Sequence, residues 1–540
     1  MLTRRGFVKM SASVAAAVSM GGLLSSCGAS RPAPSGGSSV KNQVVIAMST
    51  GSEPEAGFDP IMGWGDGGHG HEPLIQSTLV STDEHLAFQN DLATSYSVSD
   101  DGLTWTFKIR SDVKFTDGEP LTARDVAFTF NSIMNAPASE VDLSFLTGVS
   151  APDDETAVFS LSKPFNALLY LVANIGIVPE HAYGPDYGSN PIGSGRYKLE
   201  QWDRGQQAIL VSNPDYYGAA PTIERVVALF MAEDAALAAV QSGQADVAYT
   251  SAVLSSATVP GYSLAGYASV DSRGISLPMA APGETRIGAD GVVYPVGNKV
   301  TCDLSIRRAI NYGLDRQKLV DEILNGHGSV AYSVGDGMPW ASDDMKCGTD
   351  VERAKSILAE GGWTAASDGV LEKDGVRAEF DLYYPANDSV RQSFAHEFSS
   401  QMRELGIAVS LRGTDWDEIF AHGYSDPVLW GWGTNSPLET YTLYRSSSEG
   451  NYAGYANQDC DAYLDAALAQ PSVEESFAYW KRAQWDGSQG FAPQGEAAWV
   501  WMANIDHLYF VRDGLNIAPQ KPHPHGHGWS LANNVDRWTW

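Results

Sequence analysis

Five histidines of this 540-residue chain fall in two short stretches rich in glycine and proline. The segment "KPHPHGHGW" (521–529) sets His523, His525 and His527 at alternate positions, and "GWGDGGHGHEP" (63–73) holds His69 and His71. Neutral imidazole is a ligand for zinc or nickel, with each ring nitrogen about 2.0–2.1 Å from the ion. Residues two apart in an extended segment share a face, yet the outer two of three such residues stand roughly 13 Å apart. A metal held here therefore needs a bend at Gly526 or a ligand from the 63–73 loop. On the competing reading both stretches are exposed turns, shaped by Pro522, Pro524 and the glycines, whose histidines meet solvent or cap backbone carbonyls.

Other patterns for chemistry fail on spacing. His71-Glu72 and His396-Glu397 open like the zinc-protease H-E-x-x-H, but Ile75 and Ser400 stand where the second histidine belongs. No G-x-S-x-G elbow and no Walker A loop occurs. Gly65-x-Gly67-x-x-Gly70 matches the dinucleotide fingerprint only formally, because "DPIMGW" before it is a poor strand. Of four cysteines, Cys302, Cys347 and Cys460 lack C-x-x-C spacing, which leaves room for one disulfide at most, with Cys302 and Cys347 as the pair. The enzyme reading that remains is a metal-dependent hydrolase built on the paired His loops.

The first thirty residues set the compartment. Arg4 and Arg5 precede a weakly apolar run and then Leu24-Ser25-Ser26-Cys27, followed by "GASRPAPSGGSSV". Twin arginines before such a run resemble a twin-arginine export signal (1–27), and Leu-Ser-Ser-Cys resembles a bacterial lipobox whose cysteine is acylated. The Pro/Gly/Ser stretch over 28–40 then reads as a flexible tether. No later run approaches a membrane span, so lipid on Cys27 is the expected anchor outside the cytoplasm, periplasmic or at the cell surface. A formal charge of -30 argues against nucleic acid and anionic lipid as partners and favours a solvated, monomeric surface.

Length beyond one usual core predicts two or three domains, and the elements that must position any site alternate in type. Leu103, Trp105, Phe107 and Ile109 alternate with polar residues as in a half-buried strand. Thr122 and Asp125 form a capping-box pattern opening a helix with Val126, Phe130, Ile133 and Met134 inward. Val390, Phe394, Phe398, Met402 and Leu405 recur at helical spacing, Gly406 stops them, and Ile407, Val409 and Leu411 alternate as a strand. A helix near Ala235 leads to the short strand "ADVAY". A helix from about Leu304 is expected to continue through Leu314 and Val320 to Gly326, and Asp350 caps another ending at Gly361-Gly362. The class is α/β.

Seven blocks, "DGLTWTFKIRSDVKFTDGEPLTARDVAFTFNSI", "NPIGSGRYKLEQW", "NPDYYGAAPTIERVV", "VQSGQADVAY", "IRRAINYGLDRQKLVDEILNGHG", "DVERAKSILAEGGW" and "GWGTNSPLETYTLY", resemble in order the family 5 solute-binding proteins of ABC importers. The resemblance implies a two-lobed periplasmic-binding-protein-like fold (type II, with an extra subdomain). It gives residues 41–85, 190–285 and 505–540 to lobe one, 86–189 to the subdomain and 286–504 to lobe two. It implies capture and delivery without catalysis or a cofactor: peptides or peptide-like solutes are handed to permease subunits with their ATPases. Nickel, zinc or another metal chelate is the alternative ligand. Two departures stand out. The family's Gly-Thr-Gly-Pro-Tyr block reads Gly193-Ser194-Gly195-Arg196-Tyr197, and the aspartate that peptide binders carry is absent from Gly431-Trp432-Gly433-Thr434-Asn435-Ser436-Pro437.

Aromatic walls with a few polar groups suit such ligands. Trp64, Trp430, Trp432, Asn435, Tyr441 and Tyr444 are therefore expected at the ligand with His69, His71 and His525, and Glu439 and Asp415 are the nearest spare carboxylates. The metal set is His69, His71, His523, His525 and His527, with the two loops neighbours on lobe one and facing the cleft. Substitution Cys27→Ser is expected to move the protein from the membrane pellet to the soluble fraction, since lipid is the one anchor proposed.

Overall fold

The computed structural model describes residues 42–65, 70–288, 290–525 and 528–540. Two sheets carry the architecture. The first has seven strands in the order Tyr262–Tyr267, His507–Arg512, Val247–Thr250, Gln43–Ser49, Arg225–Met231, Gln207–Ser212 and Tyr197–Asp203. The second has six, in the order Gly328–Val330, Trp499–Ile505, Ser272–Ser276, Val428–Trp432, Glu379–Pro385 and Ala408–Thr414. A separate four-stranded antiparallel sheet of Ala93–Val98, Thr104–Ile109, Thr156–Leu161 and Leu146–Asp153 lies within residues 86–189.

Parallel pairing sets where a ligand can lie. Gln43–Ser49 runs parallel to Arg225–Met231 and Val247–Thr250, and Glu379–Pro385 runs parallel to Ala408–Thr414 and Val428–Trp432. The carboxyl ends of parallel strands leave loops and helix starts around a crevice, the usual ligand position in open α/β sheets. The chain passes between the sheets twice, once between Tyr267 and Ser272 and again at Asp506. Ser272–Ser276 pairs on both sides within the second sheet.

Local structure follows the sequence pattern closely. In Thr104–Ile109, Trp105, Phe107 and Ile109 are buried while Lys108 is exposed. The capping box is present: Arg124 N donates to the Thr122 hydroxyl (3.3 Å), and Thr122 N donates to the Asp125 carboxylate (2.8 Å). Helix Ala123–Met134 then buries Val126, Phe130 and Ile133, with Phe130 edge-on to Phe159 at 4.8 Å, whereas Met134 at its end is exposed. Helix Ser389–Glu404 buries Val390, Phe394, Phe398 and Met402, and Gly406 at φ +80° turns the chain into Ala408–Thr414.

Two expectations are corrected. The helix from Leu304 does not run to Gly326. Leu314 is extended (ψ 120°), its neighbour Asp315 caps a new turn by accepting from Lys318 N, and the continuation Leu319–Ile323 is a π-helix. The helix breaks because Asp315 N donates to Gln401 Oε1 (2.7 Å) instead of to the preceding helix. No disulfide joins Cys302 to Cys347. Cys302, Cys347 and Cys460 are all thiols, Cys347 donating to the Asn311 carbonyl and Cys460 sharing a bond with the Tyr455 hydroxyl. Substitution Thr122→Ala removes the cap of a helix that closes the subdomain core. Urea unfolding is expected to show about 1 kcal/mol lower stability with an unchanged slope.

Candidate ligand-binding cleft

Side chains at the carboxyl ends of the two parallel sets meet across the crevice. Glu233, the first residue of helix Glu233–Gln241 on the first lobe, accepts from Ser251 (3.1 Å) and from Ser389 (3.0 Å), which opens helix Ser389–Glu404 on the second. Burial raises the Glu233 carboxyl above the usual carboxylate range, against the pull of the Ser389 and Ser251 hydroxyls. This clasp joins the lobes directly.

Beside it lies a buried charge cluster. Asp271, at the first crossover, accepts from Arg273 through both carboxylate oxygens, from His525 Nδ1 (2.7 Å) and from His507 Nε2 (3.1 Å). Burial by itself raises a carboxyl, but Arg273 and then His525 and His507 hold Asp271 well below 3.8. Asp388 caps helix Ser389–Glu404 and accepts from Arg391 Nη1 at 2.5 Å. Burial and the like charge of Arg273 lower the Arg391 pKa. Both guanidiniums close around Gly431, where a Cβ would sit 2.2 Å from Arg391 Nη2 and 2.6 Å from Arg273 Nη1. Only glycine leaves them that space.

The described part of the segment after Lys521, through His525, is not an exposed turn. His523 N donates to the Ala268 carbonyl (3.0 Å) and Val270 N to the His523 carbonyl (2.9 Å), which makes the segment a short parallel partner of the crossover. His525 N then reaches the Gly433 carbonyl (2.6 Å), and Asn435 Nδ2 reaches the Pro522 carbonyl (3.0 Å). Gly433 is required here, since a Cβ would meet the Val270 carbonyl oxygen at 1.9 Å. His523 is fully buried and its Nδ1 lies 3.1 Å from His507 Nδ1.

The 63–73 loop does adjoin this segment, through a Glu72–Lys521 ion pair (2.6 Å) and His71 stacked 6.1 Å from Trp529. Trp64, Gly65, Gly70 and His71 of it are buried: His71 packs edge-on to Trp64 (4.5 Å), and burial lowers its pKa to about 4. The cause is an aromatic cluster, with Trp64 between Phe58 (4.8 Å) and Trp529 (5.1 Å), that a solvated turn would forfeit. His69, His527 and Cys27 lie outside the described residues. Among the described residues no group of three or more His, Cys, Asp or Glu could hold a metal ion.

The expected aromatic residues divide. Trp430 is buried with its Nε1 donating to Ser276 (3.0 Å) and stacks on Tyr452 at 4.3 Å. Tyr444 is a core residue, stacked 3.6 Å from Phe491 and accepting from Trp501 Nε1, and Tyr441 donates to Asp465 (3.0 Å). Trp432 is half-buried 6.0 Å from Trp430, and Asp415 caps helix Trp416–His422. Sequence reasoning missed Trp416 and Phe420, both exposed and 6.0 and 5.8 Å from Trp430, with Arg391 5.7 Å from the Trp416 ring. It also missed Asp271, Arg273, Asp388, Arg391 and His507. Asp388-Ser-Val-Arg391 carries a readable cap signal, but nothing in the sequence joins it to Asp271.

The model described as bacterial extracellular solute-binding proteins, family 5, matches residues 87–454. This chain belongs to that family. It is 32% identical over 93% of its length to Protein XP55 of Streptomyces lividans, of which 91% is covered. It is 28% identical over 76% of its length to the oligopeptide-binding protein AppA of Bacillus subtilis, covering 78% of that protein. In fold it matches the crystal structure of NikZ from Campylobacter jejuni in complex with Ni(L-His), with a TM-score of 0.77, 23% identity, and coverage of 93% of this chain and 100% of that one. The two-lobed solute-binding fold is thereby established.

Substitution Asp271→Asn removes the one carboxylate that is ion-paired directly to the buried Arg273 and leaves only Asp388 as counter-charge. Denaturant unfolding is expected to show a loss of about 3–5 kcal/mol, the range for breaking a buried ion pair from one side.

Proposed function

We propose that this protein captures a peptide or peptide-like solute between its lobes and delivers it to the permease and ATPase subunits of an ABC importer. One observation carries the reading. Trp432 Nε1, at the end of strand Val428–Trp432, and Asn435 Oδ1, three residues on in the following loop, are both buried and have no hydrogen-bond partner among the described residues. One is a donor and the other an acceptor, the complement of a single peptide group with its C=O and N–H. The exposed faces of Trp416 and Phe420 supply apolar surface for side chains. Arg273 and Arg391, each with an unpartnered Nε, place positive charge at the floor. The oligopeptide-binding relative supports the same choice.

On this reading the protein works outside the cytoplasm as a monomer, held by an acyl chain on Cys27 after export through the twin-arginine signal. Among the described residues no helix is long and apolar enough to cross a membrane. Calorimetry against a peptide library, and against nickel with and without L-histidine, tests the proposal. Heat is expected from peptides, with affinity about tenfold weaker in Trp432→Phe and in Asn435→Leu, because each leaves one peptide polar group unpaired. Nickel-histidine heat with silence from every peptide overturns it in favour of a metal chelate.

A further inference from the structure

The sequence has 15 tryptophans and 18 phenylalanines. Among the described residues only one of each is exposed, Trp416 at 38% and Phe420 at 44%, and the two sit on one helix with ring centroids 5.8 Å apart. Single apolar residues scattered over a surface need no explanation, whereas large aromatic rings left open side by side mark a place of contact.

That place is the cleft end of the second sheet. Glu379–Pro385 runs parallel to Ala408–Thr414 and to Val428–Trp432, so Pro385, Thr414 and Trp432 lie toward the same end. Ser389, which reaches Glu233 of the first lobe, follows the first of these strands, and Trp416 follows the second after its cap Asp415. Arg391 links the two, its guanidinium 5.7 Å from the Trp416 ring and beside Gly431.

Both rings are held from within the lobe. Trp416 stacks on the buried Trp430 (6.0 Å, 26° between planes), and Phe420 lies 5.8 Å from that same ring. Trp430 stacks in turn on Tyr452 (4.3 Å) and Tyr452 on Tyr424 (5.1 Å), over which Arg286 lies at 4.7 Å. Rings packed against such a column have little rotamer freedom left to lose, so contact with their open sides costs little in ordering. An aromatic partner gains from offset stacking beyond the area it buries, and a branched aliphatic chain does not. A lysine would be drawn by Asp417 and Glu418 on the same helix, but over the Trp416 ring it would meet Arg391.

We propose that Trp416 and Phe420 set the side-chain preference of the cleft: the captured peptide or peptide-like solute carries an aromatic group that stacks on these two rings. The inference rests on the peptide reading above, in which Trp432 and Asn435 take the peptide group and leave the side chain to this pair.

Calorimetry of the full chain with alanine peptides of graded length, each carrying one Phe, Leu or Lys, tests it. Phe peptides are expected to bind about three- to tenfold tighter than their Leu counterparts, and Lys peptides more weakly than either. Trp416→Leu combined with Phe420→Leu is expected to bring the Phe-to-Leu ratio to about one, because leucine keeps apolar surface and removes the rings. Trp416→Phe is expected to retain the preference, which a general loss of packing would not allow. Should the double variant fold poorly, Phe420→Leu alone, at the more exposed ring, is expected to lower the ratio with an unchanged urea midpoint. A wild-type ratio near one, a Lys peptide as the tightest ligand, or a preference that survives the double substitution overturns the inference and leaves the peptide reading standing. Silence from every peptide overturns both.

Discussion

One buried carboxylate fixes how the two lobes are joined. Asp271 takes hydrogen bonds from Arg273 on the strand it precedes, from His507 just past the second crossover and from His525. A carboxylate withdrawn from water is tolerable only when its lone pairs are filled and its charge is answered. The three segments that answer it must therefore arrive together, and they are the ones that determine where the chain leaves one sheet and enters the other. Backbone bonds reinforce the point: Ile505 N donates to the Asp271 carbonyl (3.0 Å) and His523 closes on Ala268 and Val270.

From this junction the cleft inherits its geometry. The His525 amide holds the Gly433 carbonyl, which positions the loop bearing Trp432 and Asn435. Arg273 and Arg391 face each other around Gly431, so the like charges share Asp271 and Asp388 as counter-ions. Motion between lobes of this kind is absorbed by a few residues in the crossings. Here the crossings are short and tightly bonded, while the Glu233–Ser389 contact farther out has only neutral hydroxyls to give up. The pivot is the more costly of the two to disturb.

Much of the fold was legible because it depends on local periodicity. The alternation over 103–109, the Thr122–Asp125 capping box and the apolar face from Val390 to Met402 became the expected strand and helices. The break after Gly313 was hidden because Ile310, Leu314 and Val320 keep helical spacing across it. What interrupts the helix is Gln401, on an element distant in sequence. The candidate site was less legible for the same reason. The His-rich segment was recognisable as special, yet its purpose comes from partners at 268–271, 433 and 507, which no spacing rule connects. Tyr444 and Trp432 belong to the same aromatic-rich stretch, and only packing against Phe491 sends the first to the core.

The last twenty residues have a consequence for how the molecule forms. Lys521 pairs with Glu72, Trp529 Nε1 donates to the Ser52 carbonyl, and Trp540 Nε1 donates to the Gln43 carbonyl, contacts that span 449, 477 and 497 positions of chain. The edge of the first lobe is thus closed by residues 521–540. Contacts of such separation require the entropy of closing very long loops before any of their energy is recovered, which makes them slow to form. During synthesis the first strand, Gln43–Ser49, emerges hundreds of residues before the segments that finish its surroundings. The subdomain, built largely from contacts within 86–189, can assemble on the ribosome. The junction and the cleft must wait for residues 505–540, so a chain stopped short of them lacks the segments that complete its binding surface.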